Sequence, residues 1–135
     1  MTRTGLLLDT TFVIDVLRGT PEALSFDEHH DRVGTVTYLS SQTYFELYVG
    51  IELSVDDEDE RQRIRDVVDS KRSLPAETSV MKNAGRLYGR LQREGPPIEP
   101  ADCVIASTAL IERLPIVTRN DDHFERIVGI DVRRY

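Results

Sequence analysis

The sequence holds one cysteine, Cys103, no tryptophan and only two lysines, Lys71 and Lys82, in 135 residues. A single cysteine excludes an internal disulfide and fits a reducing compartment, so a cytoplasmic location is expected. No apolar run approaches the roughly 18 residues that a membrane span needs, so no membrane is expected as a partner. A basic segment leading into a long apolar stretch is also missing at the N-terminus, and no secretion signal is expected. There is no CxxC pair, and His29 and His30 stand far from His123, so the common zinc patterns are excluded. Basic charge is in deficit: 17 Lys and Arg against 24 Asp and Glu give a net charge of −7. This is the opposite of the footprint of a nucleic-acid binder. A nucleic-acid substrate would have to be met by a metal and a local basic patch. The GxxxxGK[ST] phosphate loop is absent, and so is the glycine-rich turn that a dinucleotide-binding fold carries after its first strand.

What is present reads as one soluble domain over 1–135, with 39% hydrophobic and 30% charged residues. Leu6-Leu7-Leu8 is a short strand buried on both faces, as in a parallel sheet, and Asp9 ends it. Thr10 and Thr11 can each cap the helix that follows, whose apolar residues Phe12, Val13, Val16 and Leu17 recur at helical spacing before Gly19. Asp9 therefore stands where open α/β sheets hold their ligands, or else only caps the helix. Thr20-Pro21-Glu22 starts a second helix, running to about His29. Val33 to Thr37, rich in β-branched residues, is expected as the second strand. Ser40 and Ser41 offer caps for a helix through Gly50, and Glu46 lies in it among Phe45, Leu47, Tyr48 and Val49. The pattern favours placing Glu46 on the wet face.

Residues 56 to 72 form a charged helix with Ile64, Val67 and Val68 as its apolar stripe, and Leu74-Pro75 suits a short edge strand. Ser79 to Glu94 is strongly amphipathic. Val80, Ala84, Leu87 and Leu91 share one face; Lys82, Arg86, Arg90 and Arg93 share the other, within about 80° of arc. That basic face is either simply solvated or an edge that meets phosphates. After Gly95-Pro96-Pro97, the nearly apolar run Cys103 to Ile111 is a buried helix with Asp102 at its start, where the helix dipole favours an anion. Leu114 to Thr118 is a further strand, followed by the polar cluster Arg119 to His123, and Gly129 to Val132 is expected as a last, edge strand.

Strands alternating with helices imply a parallel sheet whose carboxyl ends converge on one edge. Asp9, the Asn120/Asp121/Asp122 cluster, Asp102 and Glu46 are the acidic candidates for that edge. Carboxylates gathered there repel one another unless a divalent cation is bound, and oxygen ligands point to Mg²⁺ or Mn²⁺. A phosphoaspartate enzyme would use a similar acid cluster, but no lysine follows a late strand to complete it.

In these segments the chain resembles the PIN-domain family and, within it, the VapC-type toxins of toxin–antitoxin pairs. The resemblance is carried by Leu7-Leu8-Asp9-Thr10 with Leu17-Arg18-Gly19, by Thr43 with Glu46-Leu47 and Gly50, by Asp102 with Ile105-Ala106, and by Val117-Thr118-Arg119-Asn120 with Phe124-Glu125-Arg126-Ile127. It implies a three-layer α/β/α fold with a mostly parallel sheet and a Mg²⁺-dependent endoribonuclease. Asp9, Glu46 and Asp102 fall on the family's metal-site positions. Asn120 stands where relatives often carry an acid, so Asp121, with Asp122 beside it, is the candidate for the fourth catalytic carboxylate. Lys82, Arg86, Arg90, Arg93, Thr10 and Asn120 are the expected RNA contacts. The resemblance also implies a small antitoxin partner and a homodimer, for which Tyr38, Tyr44, Phe45 and Tyr48 offer aromatic surface. The rival expectation is a PIN-like module with an incomplete metal site that binds RNA or protein without cutting.

Overall fold

The computed structural model describes residues 3–54 and 56–135, with the side chain of Ser54 left aside. Twelve elements follow one another among these residues: β1 (Leu6–Leu8), α1 (Thr10–Leu17), α2 (Pro21–Arg32), β2 (Thr37–Ser40), α3 (Ser41–Ser54), α4 (Glu58–Asp69), β3 (Arg72–Leu74), α5 (Thr78–Glu94), α6 (Pro100–Glu112), β4 (Ile116–Val117), α7 (Asp121–Glu125) and β5 (Val132–Arg133). The strands form one sheet in the order β3-β2-β1-β4-β5, and every pairing is parallel.

Alternation along the short strands sorts side chains to two cores. Leu7, Tyr38 and Ile116 face one side, where Val80, Ala84, Leu87 and Leu91 of α5 and Cys103, Ile105 and Ala106 of α6 pack on them. Leu6, Leu8, Leu39 and Val117 face the other, against Phe12 and Val13 of α1, Ala23 of α2, Leu47 and Ile51 of α3, and Ile64 and Val68 of α4. The result is the expected three-layer α/β/α arrangement, with both faces of the sheet covered as a parallel sheet requires.

Two expectations need correction. The second strand is Thr37–Ser40, not Val33 to Thr37. Val33 caps α2, and Gly34 turns the chain at φ 79, a left-handed conformation that glycine adopts without cost. Tyr38 is not available as interface surface: it is 6% exposed and belongs to the core beneath α5.

The strand order matters for the site. From β1 the chain moves out to β2 and β3, then returns to the other side of β1 for β4 and β5. The crevice between the carboxyl ends of β1 and β4 is therefore the point where strand order reverses, the usual ligand position in such sheets.

Candidate active site

Asp9 ends β1 at that crevice and is 1% exposed. It occupies the N-cap position of α1, yet its carboxylate makes no capping bond. Neither Thr10 nor Thr11 is the cap; both lie inside the helix, and their hydroxyls face the site instead. Thr11 Oγ1 donates to Asp9 Oδ2 at 2.7 Å, and Thr118 Oγ1, just past β4, donates to the same oxygen at 2.8 Å. Among the described residues no donor reaches Oδ1. No unpartnered side-chain oxygen there is sealed from solvent, so Oδ1 opens outward. One oxygen of this buried carboxylate thus accepts two hydrogen bonds, and the other keeps its lone pairs for a further partner.

Glu46 is not on the wet face of α3. That helix buries Thr43, Leu47 and Ile51, which leaves Glu46 half-buried at the border of the packed face. Thr10 Oγ1 lies 3.0 Å from Thr43 Oγ1 and 3.1 Å from Glu46 Oε1, tying α1 to α3. Thr10 is 6% exposed with its hydroxyl so committed, and it positions Glu46 rather than presenting a hydroxyl to a substrate. Burial raises the Glu46 carboxyl above its ordinary range; the Thr10 hydrogen bond opposes this, and repulsion from Asp9 and Asp102 adds to it.

Asp102 sits in the first turn of α6, after Glu99 at the N-cap and Pro100. Burial raises its carboxyl too, followed by repulsion from Asp9, while His123 lowers it. Asp9, Glu46 and Asp102 thus feel one another. His123 Nδ1 lies 3.7 Å from Asp102 Oδ2. Asp121 does not join this group: its carboxylate pairs with Arg134 at 2.5 Å. Asn120 turns its backbone N–H to Thr118 Oγ1 at 2.9 Å and stands at the N-cap of α7. From this segment it is His123, not the expected Asp121, whose side chain lies beside Asp102.

The donor set fits a hard cation. It is all oxygen, negatively charged, partly desolvated and held by hydroxyl donors. Among the described residues no three His, Cys, Asp or Glu side chains enclose a single ion directly. Mg²⁺ does not require that, because it keeps several waters and takes one or two carboxylates.

The basic face of α5 is real. Lys82, Arg86, Arg90 and Arg93 are all exposed, and none makes an ion pair among the described residues. The acidic run does not neutralise it. Glu58 pairs with Arg65 and Glu60 with Arg63, each at 2.6 Å, and Asp57 caps α4. On α3, Phe45, Val49 and Leu53 are exposed at helical spacing, with Tyr48 beside them.

Sequence reasoning missed Asp15. It is 5% exposed on α1, where Arg119 Nη1 reaches Oδ1 at 2.7 Å and the Tyr135 hydroxyl donates to Oδ2. An acid among Phe12, Val13, Val16 and Leu17 was the available signal. No helix of the described residues is long and apolar enough to cross a membrane.

Residues 6–130 match the family model described as PIN domain. The tRNA(fMet)-specific endonuclease VapC of Salmonella typhimurium is 30% identical over 126 residues, which cover 93% of this chain and 94% of that protein. Ribonuclease VapC2 of Haemophilus influenzae is 31% identical over 126 residues, 92% of each chain. Among solved structures, the DNA-bound VapBC of Salmonella typhimurium superposes with a TM-score of 0.86 at 29% identity, covering 98% of both chains.

Proposed function

The chain belongs to the PIN-domain family, in its VapC group, and from that premise we propose that it is a metal-dependent endoribonuclease acting as the toxin of a toxin–antitoxin pair. What supports the reading is that burial, and after it repulsion from Asp9 at the switch point of the sheet, raises the carboxyls of both Glu46 and Asp102, with Asp102 also repelling Glu46. Such crowding costs stability without a cation and favours binding one.

Asp9, Glu46 and Asp102 would hold Mg²⁺, or Mn²⁺, directly or through water. The bound ion would supply an activated water and neutralise charge on the scissile phosphate. The chain's residues do the rest. Thr11 and Thr118 fix Asp9 Oδ2 and so aim Oδ1. Thr10 fixes Glu46 from the adjacent helix. His123, beside Asp102 and exposed, stands where it can meet the RNA near the reacting phosphate. Lys82, Arg86, Arg90 and Arg93 would grip the RNA backbone, which an acidic protein otherwise repels at long range. Asn120 is kept as an RNA contact through its side-chain amide, and Asp121, paired with Arg134, acts only if RNA displaces that arginine.

The apolar stripe of α3 suits self-association. An antitoxin segment suits the adjacent groove between α1, α3 and α4, lined by Ile14, Leu17, Leu47, Ile51 and Ile64. The cytoplasm is the expected compartment.

The rival is a module that binds RNA or a protein partner without cutting, and the lack of a ready-made three-ligand cluster among the described residues favours it. RNA binding and RNA cleavage, measured side by side for the wild type and Asp9→Asn with Mg²⁺ or with chelator, separate the two. Cleavage that needs both Mg²⁺ and Asp9, with binding retained in Asp9→Asn, supports the nuclease. Binding without cleavage by the wild type supports the rival.

A further inference from the structure

The proposed mechanism leaves one buried charged group unused. Asp15 lies one helical turn and more beyond Asp9 on α1 and is sealed from solvent at 5% exposure. Both of its oxygens are taken, Oδ1 by Arg119 Nη1 at 2.7 Å and Oδ2 by the Tyr135 hydroxyl. The Tyr135 ring is itself fixed edge-on against Phe12, 4.8 Å between centroids. Burying a carboxylate costs free energy that only good partners offset, so this group calls for a reason.

The reason lies in what Arg119 does with its backbone. Arg119 is the second residue after β4, and its side chain reaches back across the crevice to α1. Its backbone N–H donates to Thr11 Oγ1 at 3.2 Å. The next N–H, of Asn120, donates to Thr118 Oγ1 at 2.9 Å. Thr11 and Thr118 are the two hydroxyls that hold Asp9 Oδ2. Each uses its single proton on Asp9 and accepts from the turn behind it, so both threonines are oriented by the path of the backbone at 119–120. The Arg119–Asp15 ion pair is the clamp that fixes this path to the helix bearing Asp9.

We infer that Arg119 and Asp15 are positioning residues, clamping the β4–α7 turn to α1 so that Thr11 and Thr118 together saturate one oxygen of Asp9 and leave the other for a divalent cation. The inference rests on the reading of Asp9 as a cation ligand. Partners that orient a metal ligand typically change metal affinity by about 10–100-fold when removed. Here the effect passes through a hydroxyl, so the low end, about tenfold, is expected.

The test titrates Mn²⁺ into the full chain, without RNA, and follows the loss of the free-ion electron paramagnetic resonance signal. Wild type, Asp9→Asn, Arg119→Gln, Arg119→Lys, Asp15→Asn and the double variant Asp15→Asn with Arg119→Gln are compared well below each melting temperature. Arg119→Gln leaves Asp15 charged and half-partnered, so it loses stability; Asp15→Asn removes the charge and keeps a foldable core. Both should bind Mn²⁺ about tenfold more weakly than wild type. The double variant should be no worse than either single one, because one link is broken in each, and Arg119→Lys should recover part of the loss. RNA binding measured without divalent ions should stay at the wild-type level in the Asp15 and Arg119 variants. If Asp15→Asn and Arg119→Gln bind Mn²⁺ like the wild type and only their melting temperatures fall, the pair is structural and the inference is overturned alone. If the wild type shows no Mn²⁺ binding that Asp9→Asn removes, the reading of the site falls and takes the inference with it.

Discussion

Replacing Glu46 with Gln should make the cation-free protein more stable at neutral pH, which is the reverse of what removing a designed-in contact usually does. The amide keeps an oxygen for the Thr10 hydroxyl now 3.1 Å from Oε1, so the tie between α1 and α3 survives. What goes is a half-buried negative charge that burial, Asp9 and Asp102 all oppose. Two unit charges about 8 Å apart repel by about 2 kcal/mol at an effective dielectric of about 20, and solvent screening at a half-exposed site reduces that to about 1 kcal/mol. For a chain of this length that is a rise of about 4 °C in melting temperature.

The pH dependence has a definite sign. A carboxyl whose folded value is raised binds its proton more tightly in the native state than in the unfolded one. Its ionisation costs nothing below the ordinary glutamate range, where both states are protonated. The cost grows as pH rises from that range through the raised value and is complete above it. The advantage of Glu46→Gln should therefore be full at pH 7.5 and vanish in acid. Saturating Mg²⁺ should invert the order, because a ligand at a hundred times its dissociation constant adds about 2.7 kcal/mol to the form that binds it. Calorimetry at several pH values, with and without Mg²⁺, reads all of this. A variant less stable than wild type without cation at pH 7.5, by an amount indifferent to pH, would refute the reasoning and make Glu46 an ordinary packing residue.

Arg86→Gln with Arg90→Gln should weaken binding to all RNAs alike and lower the slope of log affinity against log salt by about 1.4, two contacts at roughly 0.7 each for single strands; an unchanged slope would make the face merely solvated. Gly85→Ala and Gly89→Ala should each add about 0.5–1 kcal/mol of stability, since a methyl group at either position meets nothing within 4 Å and the helix prefers alanine; a drop in melting temperature would contradict this. Sedimentation at low micromolar concentration should find the wild type self-associated and Phe45→Glu monomeric, because Phe45 is 67% exposed and opens the apolar stripe of α3; a wild type that stays monomeric would reject the stripe as a self-contact.

How far the molecule could be read from its residues depended on the periodicity of each segment. The helix α5 was legible position by position, because apolar and basic residues separate cleanly around it: Val80, Ala84, Leu87 and Leu91 are all buried. The triple leucine of β1 was equally plain, and Asp9 with it. The helix α3 was not, since apolar residues surround Glu46 on every side of the wheel and no face stands out; only contact with Thr10 and Thr43 decides its orientation. The second strand was misplaced because β-branched residues at 33 and 35–37 outweighed Gly34, whose left-handed turn ends α2. The pairing of Asp121 with Arg134 was invisible in a stretch where Asn120, Asp121, Asp122 and His123 compete for the same inward position. The clamp from Asp15 to Arg119 spans 104 residues of sequence, and nothing local announces it beyond an acid on an apolar helix.

The account stands or falls on the cleavage rate of one RNA at saturating RNA and Mg²⁺, measured for wild type, Asp9→Asn, Glu46→Gln and Asp102→Asn. If the three carboxylates together hold the catalytic cation, each variant should lose at least about a hundredfold in rate, about 2.7 kcal/mol of transition-state stabilisation, and the wild type should fall to background in chelator. Cleavage by the wild type in chelator, or an Asp9→Asn protein that cuts at the wild-type rate, would contradict it.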